Sequence, residues 1–100
     1  MSRFSSFRDF YPYYLAEHAN RTCRRLHFVG TSLVIGCLVM LAATADLRWL
    51  VAMLVCGYGF AWAGHFFFEK NRPATFENPL FSLAGDFVMY RDMLTGKIKL

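Results

Sequence analysis

Three histidines are the residues of this 100-residue chain whose type and spacing are typical of metal chemistry: His18, His27 and His65. Imidazole nitrogens bind iron, zinc and copper. His27 precedes Asp46 by 19 residues, and His65 follows Asp46 by 19 residues. If the chain reverses direction at Asp46, the two imidazoles lie at the same height on neighbouring helices, about 8–10 Å apart. One metal ion can then bind both side chains.

His18 needs a bend in the chain to join them. It lies nine residues before His27, which is about 13 Å and half a rotation away on one continuous helix. The residues Asn20–Thr22 are weaker helix formers, so we place the bend there. Without a bend, His18 can join the site only if two metal ions share it.

Two carboxylates accompany the histidines. Glu69 follows His65 by four residues, so both face one side if the helix continues. Glu69 then completes a two-histidine, one-carboxylate iron site, accepts a hydrogen bond from an imidazole N–H, or belongs to a solvated helix end. Asp86 lies in an apolar run, where an acid needs a partner. We expect it to hydrogen-bond a ligand histidine or to pair with an arginine.

Three arginines lie close to the histidines at the ends of the apolar segments: Arg24, Arg25 and Arg72. A guanidinium binds a carboxylate through two parallel hydrogen bonds, so one of them could hold an acidic substrate. The alternative for each is contact with phospholipid headgroups. The three cysteines, Cys23, Cys37 and Cys56, form no C-x-x-C pair and are interpreted as small hydrophobic residues.

The elements that carry these residues are apolar helices. Leu26–Ala45 and Trp49–Phe68 each hold a single ionisable residue, and about 20 such residues cross the hydrocarbon core of a bilayer. The short break between them predicts an antiparallel hairpin. The chain is 56% hydrophobic and 18% charged, against about 45–50% and 25% in soluble domains. We therefore predict an all-α integral membrane bundle with a single domain over residues 1–100.

A shorter helix flanks the hairpin on each side. An amphipathic stripe over Phe4–His18 is interrupted by Pro12, so the N-terminal helix is predicted to begin near Tyr11 or Pro12. The pair Asn78-Pro79 is typical of a helix start, which predicts a last helix over Leu80–Leu94 that stops at Gly96. This helix is too short to cross a bilayer easily, so we expect it to be interfacial or partly inserted.

The charge distribution predicts orientation. The net charge is +4, and five arginines precede the first apolar segment, whereas Arg48 is the cation of the turn. Both termini are therefore expected in the cytoplasm, with the protein in a bacterial inner membrane, or in the endoplasmic reticulum membrane if it is eukaryotic. The basic residues flank apolar segments and line no common face, which argues against nucleic-acid binding. So small a bundle is compatible with a homodimer.

Three blocks carry a recognisable motif. They read H-x-N…R-x-L-H-x-x-G from His18 to Gly30, G-H-F-x-F-E-x-N-x-P-A-T-F from Gly64 to Phe76, and S-L-x-x-D-x-x-M from Ser82 to Met89. This pattern resembles the small membrane family typified by the yeast 2-hydroxy fatty acid dioxygenase of phytosphingosine breakdown. No departure occurs at its polar positions.

The resemblance implies a dioxygenase that depends on iron(II) (Fe2+). It implies cleavage of a 2-hydroxy fatty acid by dioxygen to the aldehyde or acid one carbon shorter, with His18, His27 and His65 as iron ligands. The remaining candidates are Arg24, Arg25, Glu69 and Asp86 for catalysis, and Asn20, Asn71 and Arg72 for substrate binding. The alternatives are a non-catalytic membrane scaffold or transport protein, and a zinc-dependent lipid hydrolase.

Overall fold

The computed structural model of the chain describes residues 4–72 and 78–99, and this part is all-helical, without strands. The predicted motif positions 73–76, and Arg3 of the N-terminal cations, lie outside it. The prediction of an all-α fold is confirmed for the described residues. The helices are α1 (Phe7–Ala16), α2 (Arg21–Thr44), α3 (Arg48–Ala63), a π-helical segment (Gly64–Glu69) and α4 (Pro79–Leu94).

Helix α1 begins earlier than predicted. The Oγ of Ser6 accepts a hydrogen bond of 3.3 Å from the backbone N–H of Asp9, which caps the helix before Phe7. The rings of Phe7 and Phe10 also pack on Phe81 of α4, at centroid distances of 6.5 and 5.5 Å. These contacts offset the backbone hydrogen bond that Pro12 cannot donate from inside the helix. The predicted start near Tyr11 or Pro12 is wrong for this reason.

Two helical stretches are long and apolar enough to cross a membrane: Arg21–Thr44, and Arg48–Glu69 with the π segment included. Helix α3 contains no buried residue, and Val51 and Val55 are 62% and 66% exposed. A helix in the core of a soluble protein would bury such side chains. The apolar exposed surface therefore suits lipid as its solvent.

Glycines set the distance between α2 and α3. A Cβ on Gly30 would lie 2.9 Å from the Cβ of Phe60, and a Cβ on Gly57 would lie 3.1 Å from a methyl carbon of Val34. Small residues at such points let helix backbones approach closely. In the connection between the helices, Arg48 and Asp46 form an ion pair of 2.7 Å.

Helix α4 packs on α1 and α2. Phe10, Tyr14, Met89 and Met93 form the buried core between α1 and α4. A polar contact joins α4 to each of the two helices. The hydroxyl of Tyr11 in α1 donates to Asp92 at 2.7 Å, and the hydroxyls of Ser32 in α2 and Tyr90 lie 2.9 Å apart. The helix begins one residue before the predicted Leu80 and ends, as predicted, at Leu94. Gly96 adopts a left-handed conformation (φ 83°) just beyond it.

We predict that Gly30→Ala destabilises the protein and that Gly36→Ala does not. The added methyl at residue 30 meets Phe60 and the backbone oxygen of Cys56 at 3.4 Å, whereas nothing lies within 4 Å of a Cβ on Gly36. The overpacked variant should lose about 1–3 kcal/mol, while the control removes a helix glycine and gains about 0.5–1 kcal/mol. Thermal unfolding in detergent, followed by circular dichroism, measures both. Equal shifts in the two variants would contradict the close approach of α2 and α3.

Candidate metal centre

His18 reaches the centre through a sharp turn between α1 and α2. Helix α1 ends at Ala16, and α2 begins at Arg21, after its N-cap Asn20. The side-chain oxygen of Asn20 accepts a hydrogen bond of 3.1 Å from the backbone N–H of Cys23. A bend between His18 and His27 is present as predicted, but it lies earlier than the predicted Asn20–Thr22, because Arg21 already begins α2. It folds His18 back onto His27, with 3.1 Å between their Nε2 atoms.

His65 is carried by the π segment. A π-helical turn inside an α-helix is rare and occurs frequently at functional sites. Glu69 is the last residue of this segment. The carboxylate of Glu69 accepts a hydrogen bond from the backbone N–H of Asn20. It therefore ties the π segment to the start of α2.

The protonation of all three rings follows from their hydrogen bonds. The Nδ1 atom of each ring lies near an oxygen that can only accept: the backbone oxygen of Tyr14 for His18 (2.6 Å), that of Cys23 for His27 (2.9 Å), and Oδ1 of Asn71 for His65 (2.8 Å). Each Nδ1 therefore carries the proton, and each Nε2 keeps its lone pair.

The side chain of Asn71 is itself oriented by α1. Its Nδ2 donates a hydrogen bond of 3.2 Å to the backbone oxygen of Glu17. Because a carbonyl oxygen only accepts, this contact directs the amide oxygen of Asn71 towards His65. A ring N–H held in this way fixes both the tautomer and the orientation of a metal ligand. Asn71 was predicted to bind substrate, and the structure places it against His65.

The three rings surround a buried space. Their centroids are 4.4 Å apart for His18 and His27, 4.4 Å for His18 and His65, and 5.0 Å for His27 and His65. All three side chains are less than 5% exposed. Two lone pairs 3.1 Å apart repel each other, and a shared cation removes that repulsion. Metal–nitrogen bonds are about 2.0–2.1 Å long, so the Nε2 atoms of His18 and His27 can reach one ion.

Burial also keeps His18 neutral. Desolvation and the neighbouring imidazoles His27 and His65 lower the pKa of His18 to about 2. A ligand imidazole must be unprotonated to bind a metal ion. The donor set therefore fits a transition metal.

Cys23 belongs to the same cluster, which the sequence interpretation missed. The possible ligand atoms of His18, Cys23, His27 and His65 all lie within 4.8 Å of one another. Cys23 is fully buried, as expected for a small hydrophobic residue, and its sulfur also lies beside the histidines. The spacing of four residues to His27 was the available signal, since it puts both side chains on one face of α2. A Cβ on Gly64 would lie 2.9 Å from this sulfur, so glycine is needed there.

Tyr14 and Asp86 form a hydrogen-bonded pair next to the histidines. The ring of Tyr14 stacks on His18 at a centroid distance of 4.0 Å, and its hydroxyl donates to the carboxylate of Asp86. Asp86 was expected to contact a histidine or an arginine, but its partner is this tyrosine. Burial raises the pKa of Asp86 to about 6 and raises the pKa of Tyr14 well above its usual range. No pattern in the sequence indicated Tyr14 as a partner, because 72 residues separate it from Asp86.

The arginines differ in their surroundings. The Nη1 atom of Arg24 donates hydrogen bonds to the backbone oxygens of His18 (3.2 Å) and Ala19 (2.8 Å). It therefore stabilises the turn that positions His18. Its buried Nε has no hydrogen-bond partner among the described residues. Arg25 and Arg72 are exposed. Asn20 was predicted to bind substrate. In the structure its side chain caps α2, and its backbone N–H donates a hydrogen bond to the carboxylate of Glu69.

A cavity of about 370 Å³ opens from the histidines. Small-molecule sites measure about 300–1,000 Å³. The lining comes from α2, α3, the π segment and α4. His27, His65, Ser82 and Asp86 line it together with apolar residues, among them Val34, Leu38, Met53, Leu54 and Phe87. His27 and His65 of the candidate metal site therefore border an apolar space.

Comparison with known families identifies the chain. A family model described as "2-hydroxy-palmitic acid dioxygenase Mpo1-like" matches residues 4–98. The chain belongs to this family. The resemblance noted from the sequence motifs is thereby confirmed, and the match covers every residue of the Mpo1-like metal cluster. No curated protein and no solved structure matches the chain.

We predict that Asn71→Ala weakens metal binding without unfolding the protein. The variant removes the acceptor of the His65 Nδ1–H, so the ring loses its fixed tautomer and orientation. Loss of such a partner typically costs about 10–100-fold in metal affinity. Titration of the metal-free protein with iron(II) or cobalt(II) under anaerobic conditions measures the affinity, and circular dichroism checks the helix content. An unchanged affinity would show that His65 does not depend on Asn71.

Proposed function

We propose that this Mpo1-like protein is an iron(II)-dependent dioxygenase that cleaves 2-hydroxy fatty acids beside the carboxyl group. The observation that carries the proposal is the cluster of three buried imidazoles, with ring centroids 4.4–5.0 Å apart, of which His27 and His65 line one end of an apolar cavity. The name of the family supports the dioxygenase reaction and the 2-hydroxy acid substrate.

His18, His27 and His65 are the proposed iron ligands, with Cys23 close enough to contribute. Bound iron(II) would supply the redox chemistry with dioxygen that amino-acid side chains lack. The protein's own contribution is to keep three neutral imidazoles in place and to exclude water from them. Imidazole alone suits several metals. Iron is therefore proposed from the reaction class.

The reaction balances without an external reductant when the product is the acid. One 2-hydroxy acid and one dioxygen give the fatty acid one carbon shorter, carbon dioxide and water. The bond between the carboxyl carbon and the hydroxyl-bearing carbon breaks, and the latter is oxidised to the new carboxyl carbon. A single substrate therefore provides all the electrons that reduce dioxygen.

Asp86 is the proposed acceptor of the substrate's hydroxyl proton. Its carboxylate lines the cavity together with His27 and His65. The Tyr14 hydroxyl donates to Oδ1 and fixes the carboxylate, which leaves Oδ2 for the proton. A pKa of about 6 puts this group close to the operating pH, where a general base works best.

Arg24 is proposed to act mainly through His18. Its guanidinium holds the turn that carries this ligand, and its charge lies near enough to disfavour protonation of His18. Arg25 and Arg72 are exposed at the same end of the molecule. We assign them to the polar surface, where phospholipid headgroups or a substrate carboxylate can bind them.

We also propose that α2 and α3 form an antiparallel transmembrane hairpin with both termini in the cytoplasm. The facing pairs Gly30–Phe60 and Val34–Gly57 run in opposite directions along the two helices. The histidines then lie at the cytoplasmic end, where the carboxyl group of a membrane-bound fatty acid is located. The apolar part of the cavity extends towards the bilayer centre.

The proposal predicts that the purified protein, loaded anaerobically with iron(II), converts 2-hydroxypalmitate to pentadecanoic acid or its aldehyde when dioxygen is added. His27→Ala and His65→Ala should each lower the rate at least about 100-fold, because each removes a metal ligand. Mass spectrometry of the products measures the reaction. Palmitate, which lacks the hydroxyl group, is the control substrate and should remain intact.

Three results would contradict the proposal. They are no chain shortening by fully iron-loaded protein, equal turnover without dioxygen, and equal turnover by the histidine variants. Turnover supported by zinc in the absence of dioxygen would favour the hydrolase alternative.

A further inference from the structure

We propose that the cavity between α2, α3 and α4 holds the substrate's acyl chain, and that Gly57 and Leu38 set the chain length it accepts. The inference rests on the proposed function, which it deepens by assigning residues to substrate selection. It predicts that the chain enters sideways, from the lipid side of the bundle.

The cavity changes in polarity along its length. His27, His65, Ser82 and Asp86 line one end, and Leu38, Met53 and Leu54 line the other. On α2, His27 and Leu38 are eleven residues apart, which corresponds to about 16 Å along the helix axis. The space is therefore elongated, with its polar end at the metal cluster. This arrangement matches a molecule with a carboxyl group at one end and a long apolar chain.

The opening of the cavity lies between α3 and α4. Both helices pack on α2, and their lining side chains are partly exposed, as Tyr58 (47%), Leu83 (56%) and Phe87 (38%) show. If α2 and α3 cross the bilayer, these side chains face lipid. An acyl chain can then move from the bilayer into the cavity without passing through water.

Gly57 lines the cavity at a point where α3 approaches α2 closely. A Cβ at residue 57 would lie 3.1 Å from a methyl carbon of Val34, which also lines the cavity. Val34 lies seven residues after His27, so this point is about 10 Å along α2 from the ligand histidine. A larger side chain here would separate the polar half of the cavity from the apolar half. Gly59 is the matched control, because nothing lies within 4 Å of a Cβ there and it does not line the cavity.

The occupant we assign is a single fatty acyl chain rather than a bilayer phospholipid. A diacyl phospholipid carries two chains and a headgroup, and a single cavity of about 370 Å³ does not hold both chains. The polar end is also lined by imidazoles and a hydroxyl, which can bind a small 2-hydroxy acid group. A phospholipid bound equally well would overturn the assignment.

The first test measures chain-length preference. Wild type, Gly57→Val and Gly59→Val are assayed with 2-hydroxydecanoate, 2-hydroxymyristate and 2-hydroxypalmitate. We expect Gly57→Val to lower the ratio of kcat/KM for 2-hydroxypalmitate to kcat/KM for 2-hydroxydecanoate by at least roughly tenfold, because the methylenes excluded from the cavity lose their apolar burial. Gly59→Val should keep the wild-type ratio. Equal ratios in all three proteins would overturn the proposal.

A second pair of variants covers the case in which Gly57→Val does not fold. Leu38→Phe fills the far end of the cavity, and Val39→Phe adds the same ring at a neighbouring residue that is 60% exposed and does not line it. Leu38→Phe should disfavour the longest substrate only, and Val39→Phe should change nothing. The same effect in both would overturn the role of Leu38.

A binding measurement separates this proposal from the proposed function. The chain contains two tryptophans, and Trp62 lines the cavity whereas Trp49 does not. In metal-free Trp49→Phe protein, a palmitate brominated near the carboxyl group should quench Trp62 fluorescence more than one brominated at the chain end. Unlabelled palmitate should reverse the quenching, and added phosphatidylcholine should not. Reversal by both lipids would overturn the assignment.

The two failures are distinguishable. Quenching that depends on the position of the bromine, without oxygenase activity, would leave the acyl site standing and overturn the proposed reaction. Oxygenase activity with unchanged chain-length preference in both variant pairs would leave the reaction standing and overturn the acyl site.

Discussion

The structure depends on the burial of three imidazoles whose Nδ1–H groups are all satisfied. A buried ring nitrogen without a partner costs free energy, and a buried imidazolium costs more. For His18 and His27 the acceptor is a backbone oxygen four residues earlier, at Tyr14 and Cys23. For His65 it is the side chain of Asn71. With the Nδ1 protons bound to these acceptors, the Nε2 atoms of His18 and His27 lie 3.1 Å apart, and the ring of His65 lies beside both.

This arrangement requires two departures from regular helix, and they support each other. The turn after α1 presents His18, and the π segment presents His65. Glu69 of the π segment accepts from the backbone N–H of Asn20, and Asn71 donates to the backbone oxygen of Glu17. Each irregular segment thus supplies hydrogen bonds that the other needs. Backbone polar groups freed by a broken helix are satisfied without water, as an apolar environment requires.

The position of the cluster connects the fold with the function we propose. The histidines lie at one end of the two long apolar helical stretches, and the cavity leads from His27 and His65 along α2 and α3. In the proposed function, the polar end of a membrane-bound fatty acid lies beside these histidines and Asp86. Helix α4 contributes Ser82 and Asp86 because the aromatic core between α1 and α4 holds it beside the histidines. The core between α1 and α4 and the packing of α2 against α3 are thus both needed to complete the site.

The amino-acid sequence by itself determined the helical class, the two apolar segments, the bounds of α4 and the histidine pair His27 and His65. These features depend on local composition and on spacing along one chain, which hydropathy and helix geometry convert directly into structure. Contacts between elements decided the rest. The start of α1 depends on Phe81, the partner of Asp86 is Tyr14, and the role of Cys23 depends on Gly64. The partner of Glu69 is the backbone N–H of Asn20, which lies 49 residues away in the chain. Such choices balance backbone hydrogen bonds against packing between distant residues, and only the tertiary structure brings those residues together.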